Sequence, residues 1–181
     1  MAVTDTHEHH DTLAEDVFYP GHEPRTESAL FRHTKTHMKA EGIYQCAVCG
    51  DAEGVESHHV IIEYSFAGAI DFQWIKDVAL NRRDTMFSHK LQREVPIPRR
   101  HLVWVLIALS QGFDWEAFDP ASPEAFVDSE HNQLPLCALH HRGKFHGIHA
   151  ESLPIFAVQA FLKPGYVYSP DELKALHADH S

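Results

Sequence analysis

Apolar residues fall in short clusters along the chain, and their spacing predicts a series of short elements. Residues 28–41 are helix-compatible, with Gly42 placed to stop the helix. A short strand over 43–45 then leads into Cys46. Residues 55–62 set Val55, Val60, Ile61 and Ile62 around a polar centre, Glu56-Ser57-His58-His59, which predicts a short buried strand with an anomalous middle. A helix-like stretch covers 67–80, the apolar run Leu102–Leu109 follows, and an acidic loop carries Pro120 and Pro123. After Leu134-Pro135-Leu136 comes a Cys/His-rich stretch over 137–149. Two short helices are predicted in a C-terminal extension over 150–181, one opened by Pro154. The other is opened by Ser169-Pro170-Asp171-Glu172, a capping box with proline at the first helical position. No internal repeat is visible.

Composition narrows the class. With 181 residues, 44% apolar and 23% charged, the chain can bury a core, and its length suggests one domain with appendages. Fifteen Lys and Arg against 26 Asp and Glu give a net charge of −11, so any nucleic-acid contact must use a local basic patch. The longest apolar run is the eight residues of Leu102–Leu109, where a bilayer-spanning helix needs roughly 20, so no membrane partner is expected. An acidic start, Met1-Ala2-Val3-Thr4-Asp5, lacks the basic and apolar regions of a secretory signal. Three cysteines cannot all pair within one chain, and a cytoplasmic, reducing setting is expected. Residues 1–28 hold seven acidic residues against a single Arg25 and predict a flexible acidic arm; its His7, His9 and His10 read as part of a solvated tail.

The unusual numbers are three Cys and 17 His. Zinc takes four ligands in a tetrahedron, and two ligands separated by two residues can turn back onto one ion. Cys46-Ala47-Val48-Cys49 and Cys137-Ala138-Leu139-His140 supply two such knuckles, hence a candidate Cys3His structural zinc site. A second group comprises His58 and His59, Asn132, and His141, His146 and His149. Adjacent strand residues point to opposite faces, so if one of the His58/His59 pair ligates a metal the other is free to act as a base.

In this order the residues resemble the HNH endonuclease family: Cys46/Cys49, then Glu56-Ser57-His58-His59, then Asn132, then Cys137 to His140-His141, with His146 one turn on. The resemblance covers two blocks, roughly residues 43–63 and 131–149. It implies an α+β fold with a ββα-metal core clamped by zinc knuckles, its strands near 43–45 and 55–62 and its helix after Cys137. The nuclease-like domain then spans 29–181, with a long, mostly helical insertion over 64–130. The resemblance further implies metal-dependent hydrolysis of DNA phosphodiesters, with His59 as general base and Asn132 orienting it by a hydrogen bond. A single divalent ion (Mg, Mn, Ni or Zn) would be held by His58, His141 and His146. A bacterial or phage-infected cell is the setting it suggests, with a homodimer or a phage or bacterial protein as further partners.

Two departures stand out. Four residues beyond His141 is Phe145, and the five-residue step to His146 turns roughly 140° off alignment on a regular helix. Either a bulge, for which Gly143 and Gly147 give licence, or a different set with His149 as the replacement must complete the site. The 72-residue gap between His59 and Asn132 is the second departure, and it holds the basic cluster Arg82, Arg83, Lys90, Arg93, Arg99 and Arg100. Arg82, Arg83, Arg142 and Lys144 are the candidate phosphate contacts. The competing reading is a noncatalytic zinc-stabilised scaffold for nucleic-acid binding or protein assembly.

Overall fold

The computed structural model describes residues 27–88 and 90–150, an α+β arrangement of short helices and two small two-stranded sheets. Most of the acidic arm and the helices predicted beyond Pro154 lie outside the described residues. The chain divides into two compact units, one containing residues 44–58 and 135–150, the other residues 27–43 and 59–134.

In the larger unit α1 spans Ala29–Ala40. Ser28, where the predicted arm and the helix-compatible stretch meet, caps this helix by accepting from the Phe31 N–H at 2.9 Å. Gly42 ends the helix in the left-handed region at φ +71°, where a side chain would be strained. The stretch predicted as one helix over 67–80 is two elements. A 3-10 turn covers Tyr64–Ala69, Ile70 is extended, and α2 (Phe72–Ala79) starts afresh where the Asp71 carboxylate accepts from the Trp74 N–H at 2.8 Å.

Helix α3 (Leu102–Leu109) buries Val103 and Leu106 while Leu102, Val105 and Leu109 stay exposed. With α4 (Glu124–Val127) and the Trp115 loop it closes a core of Ile62, Ala67, Phe72, Ile75, Leu106, Trp115, Phe118, Phe126 and Val127. Phe113, Trp115, Phe118 and Phe126 meet there with ring centroids 4.8–5.5 Å apart. Trp115 is therefore a core residue.

The insertion is less helical than its apolar runs predict. The basic stretch forms an antiparallel ribbon of β2 (Thr85–Ser88) and β3 (Arg93–Pro96), in register from Thr85↔Pro96 to Ser88↔Arg93. Gln92, at φ +52°, turns the chain into β3.

Strand β1 (Glu56–His59) pairs with β4 (Gln133–Leu136), and α5 (Ala138–Arg142) follows. The strand expected over 43–45 does not form. The Ile43 N–H is taken by Met38 O beyond the end of α1. From Cys46 onward the chain turns tightly, with Cys46 N bonded to Asp51 O at 2.7 Å and Gly50 N to Cys46 O at 2.8 Å, and a single amide, Ala47 N, reaches Pro135 O of β4 at 2.9 Å. Among its described residues the smaller unit buries little besides Tyr44, Leu136 and the side chains Cys46, Cys137 and His140. Among the described residues no helix is long and apolar enough to cross a membrane.

Candidate metal centres

Cys46, Cys49, Cys137 and His140 converge so that their donor atoms all lie within 4.8 Å of one another. The separations are 3.5 Å from Cys46 Sγ to His140 Nδ1, 3.3 Å from Cys137 Sγ to His140 Nδ1, and 3.9 Å from Cys49 Sγ to Cys137 Sγ. Zinc–sulfur bonds of about 2.3 Å and a zinc–nitrogen bond of about 2.0 Å at tetrahedral angles give edges of about 3.8 and 3.5 Å. The four donors fit a zinc ion.

Their protonation fits as well. Burial pushes the Cys46 thiol up, but backbone amides of Cys137, Cys49 and Val48 outweigh it and bring the thiol below its usual range. Cys49 is pushed up to about 11 by burial and by its neighbouring thiols. A cation among such closely packed sulfurs would offset their mutual repulsion as thiolates. Burial, and then the nearby His146, lower the His140 pKa and so favour the neutral ring, the form in which imidazole ligates.

A second group of three imidazoles lies in the same unit. Donor atoms of His58 on β1, His141 on α5 and His149 beyond it also lie within 4.8 Å of one another, with His141 Nε2 and His149 Nε2 3.2 Å apart. The outer nitrogen of His141, Nδ1, lies 2.5 Å from Glu56 Oε2. That hydrogen bond fixes the tautomer with Nε2 free to ligate. Glu56 also accepts from Arg142 Nε at 3.0 Å, and the His141 bond followed by the arginine's charge and hydrogen bonds holds its carboxyl below the usual range.

His149 reaches His141 because α5 stops early. Gly143 leaves the helix, and the chain curls back through Gly147 N to Gly143 O at 2.8 Å and Ile148 N to His140 O at 2.9 Å. A Cβ on Gly143 would meet Leu139 O at 2.2 Å, and one on Gly147 would meet Gly143 O at 2.6 Å, so both positions need glycine for close backbone approach. His146 is carried elsewhere, its ring 6.3 Å from that of His140, and it is not among the three. The turn thus brings together the His58, His141 and His149 set rather than the one with His146.

His59 belongs to the other unit. Its Nδ1 lies 3.3 Å from Glu63 Oε2, and its Nε2 lies at an ion-pair distance of 3.5 Å from Asp128 Oδ1. Burial alone would favour the neutral ring, but Asp128 and Glu63 overcome it and raise the pKa. Asp128 is fully buried and also accepts from Ser28 Oγ at 2.6 Å.

Asn132 does not orient His59 by hydrogen bonding. Its Oδ1 accepts from the N–H groups of Ile61 and Ile62, both at 3.2 Å, and its Nδ2 donates to Ile62 O and Val127 O at 2.8 and 3.0 Å. Every hydrogen-bonding position of that amide is spent on backbone, and the carboxylates take the orienting role instead. Sequence reasoning passed over Asp128; the signal was an acid directly following the apolar Phe126 and Val127.

The basic candidates divide. Arg82 bonds both carboxylate oxygens of Glu116 at 2.7 Å, Arg83 pairs with Glu94 at 2.9 Å, and Arg142 is held by Glu56. Lys144 lies 5.0 Å over the Phe145 ring. Compared with family models, curated protein sequences and solved structures, the chain matches none.

Proposed function

We propose that this protein is an HNH-type endonuclease that hydrolyses DNA phosphodiester bonds with one divalent ion. The observation that carries the reading is the presence, in one unit, of two donor sets of different character. Cys46, Cys49, Cys137 and His140 supply four ligands, a closed structural zinc site. His58, His141 and His149 supply three, leaving positions open to water and a phosphate oxygen. A bound ion there supplies Lewis-acid stabilisation of the charge that develops on the phosphate and the leaving oxygen.

The chain's own residues do the rest. His59, next in the chain to His58, takes the proton of the attacking water. Its Nε2 faces buried Asp128, so the accepting atom is Nδ1, from which the exposed Glu63 carboxylate, 3.3 Å away, turns aside to admit the water. Asp128 fixes the ring and favours the imidazolium that forms. Glu56 keeps His141 in the ligating tautomer.

The test is plasmid nicking by zinc-loaded protein with Mg, Mn, Ni or added Zn. His141→Ala is expected to abolish nicking while one zinc per chain is retained, and His59→Ala is expected to slow it by about 10²- to 10⁴-fold. Wild type that nicks under no ion refutes the reading. Glu56→Gln is expected to weaken binding of the second ion by about 10- to 100-fold in calorimetric titration, with the first zinc untouched. Unchanged affinity would remove Glu56 from the site.

The alternative is a noncatalytic zinc-clamped scaffold that binds nucleic acid or assembles with proteins. It draws on the two carboxylates at His59, which favour a protonated, structural ring over a free base.

A further inference from the structure

We infer that the β2–β3 ribbon is a docking arm for duplex DNA, with Lys90 and Arg93 at its tip and Arg99 and Arg100 beyond its base. Residues 82–100 carry six cations against two carboxylates. Pairing redistributes them: Arg82 is neutralised by Glu116 and Arg83 by Glu94, so the arginines nearest the core are the ones spent. No carboxylate among the described residues pairs with Lys90, Arg93, Arg99 or Arg100, and all four are exposed. The ribbon therefore offers an excess of free positive charge on a chain whose net charge is −11.

Its form agrees with its charge. The ribbon is a sheet of only two strands, and no other element packs broadly on it among the described residues. It is tied at its base by Trp74 Nε1 donating to Thr85 O at 2.8 Å, while Ile97 N donating to Asp84 O at 2.9 Å continues its own ladder one pair past Thr85↔Pro96. Four residues per strand at roughly 3.4 Å each extend it about 14 Å, and the two strands lie about 5 Å apart. The major groove of B-DNA, about 12 Å wide, admits a two-stranded ribbon of that width. At the tip Leu91 is 54% exposed between Lys90 and Arg93, and Phe87 is 44% exposed. Cations flanking an exposed apolar side chain suit a polyanion with apolar base edges between its phosphates.

The inference rests on the phosphodiesterase reading in taking DNA as the partner. Its test is a fluorescence-anisotropy titration of a labelled 20-base-pair duplex with full-length, zinc-loaded protein and no second ion added. Each phosphate contact contributes about 0.9 to the slope of log K against log salt, worth about 8-fold in affinity at 0.1 M salt. Lys90→Ala/Arg93→Ala is expected to flatten that slope by about 1.8 and weaken binding by about 60-fold. Arg82→Ala, which removes a paired arginine, is expected to change affinity by less than 3-fold. An unchanged slope in the double variant, an equal loss in Arg82→Ala, or no duplex binding by wild type at 50 mM salt each overturns the inference. Tighter binding of polyglutamate than of the duplex also overturns it, in favour of an acidic protein partner.

Plasmid nicking separates the two claims. Wild type that binds through the ribbon yet nicks under no ion overturns the nuclease reading and leaves the arm. A ribbon variant that binds and nicks like wild type overturns the arm and leaves the nuclease.

Discussion

Cys137→Ser is expected to unfold residues 44–58 and 135–150, the described part of the smaller unit. The reason is what that unit is made of. Of the buried side chains among its described residues, Cys46, Cys137 and His140 are the candidate metal donors, and Tyr44 and Leu136 are the main apolar residues left once they are set aside. Two such side chains contribute on the order of 5 kcal/mol, far less than the conformational entropy of some thirty ordered residues. Structural zinc, at an apparent 10–16 kcal/mol, is the term of the right size. The variant, or wild type after chelation, is expected to hold no zinc and to lose amide-exchange protection across 44–58 and 135–150. Protection around Phe72, Phe126 and Val127 is expected to persist, because that unit carries its own core of nine buried residues. Equal protection of 44–58 with and without zinc would sink the idea.

What the sequence made legible follows from the range of the interactions involved. Helix α1 and its glycine stop were readable because capping and φ preference act within a few residues. The Cys3His set was readable because each knuckle constrains itself locally and the metal's demand for four ligands joins the two. The split of the predicted 67–80 helix was harder to see, since Asp71 ends nothing by itself; only its bond to the Trp74 amide shows it to be a cap. Residues 43–45 have the composition of a strand, yet the Ile43 amide closes the end of α1 on Met38 O and the chain turns at Cys46 immediately afterwards. Choosing between His146 and His149 required knowing where α5 stops, which depends on the backbone approach at Gly143 and Gly147. Asp128 is a tertiary fact, lying 100 residues from its partner Ser28 and 69 from His59.

Asn132 is the residue whose role the structure changes most, and its replacement carries the second large expected effect. An asparagine that oriented a catalytic ring would, when replaced, leave stability nearly intact and reduce the rate. Here the side chain is 1% exposed and holds four backbone groups: Ile61 N–H, Ile62 N–H, Ile62 C=O and Val127 C=O. Asn132→Leu orphans all four in a region where Ile62 and Val127 are themselves buried. At about 1–3 kcal/mol per unsatisfied group, with some relief from entering water, the expected loss is on the order of 5 kcal/mol. That is a large fraction of the 5–15 kcal/mol typical of a whole domain. Asn132→Asp keeps the acceptor but turns a carboxylate oxygen toward the carbonyls of Ile62 and Val127, so it is expected to cost nearly as much. Urea unfolding read by tryptophan fluorescence measures both, with Trp115 reporting on the core that contains Ile62 and Val127. A midpoint unmoved in Asn132→Leu, with activity lost, would return the residue to the catalytic role. A collapsed midpoint in both variants places its function in holding the segment after His59 against the end of α4.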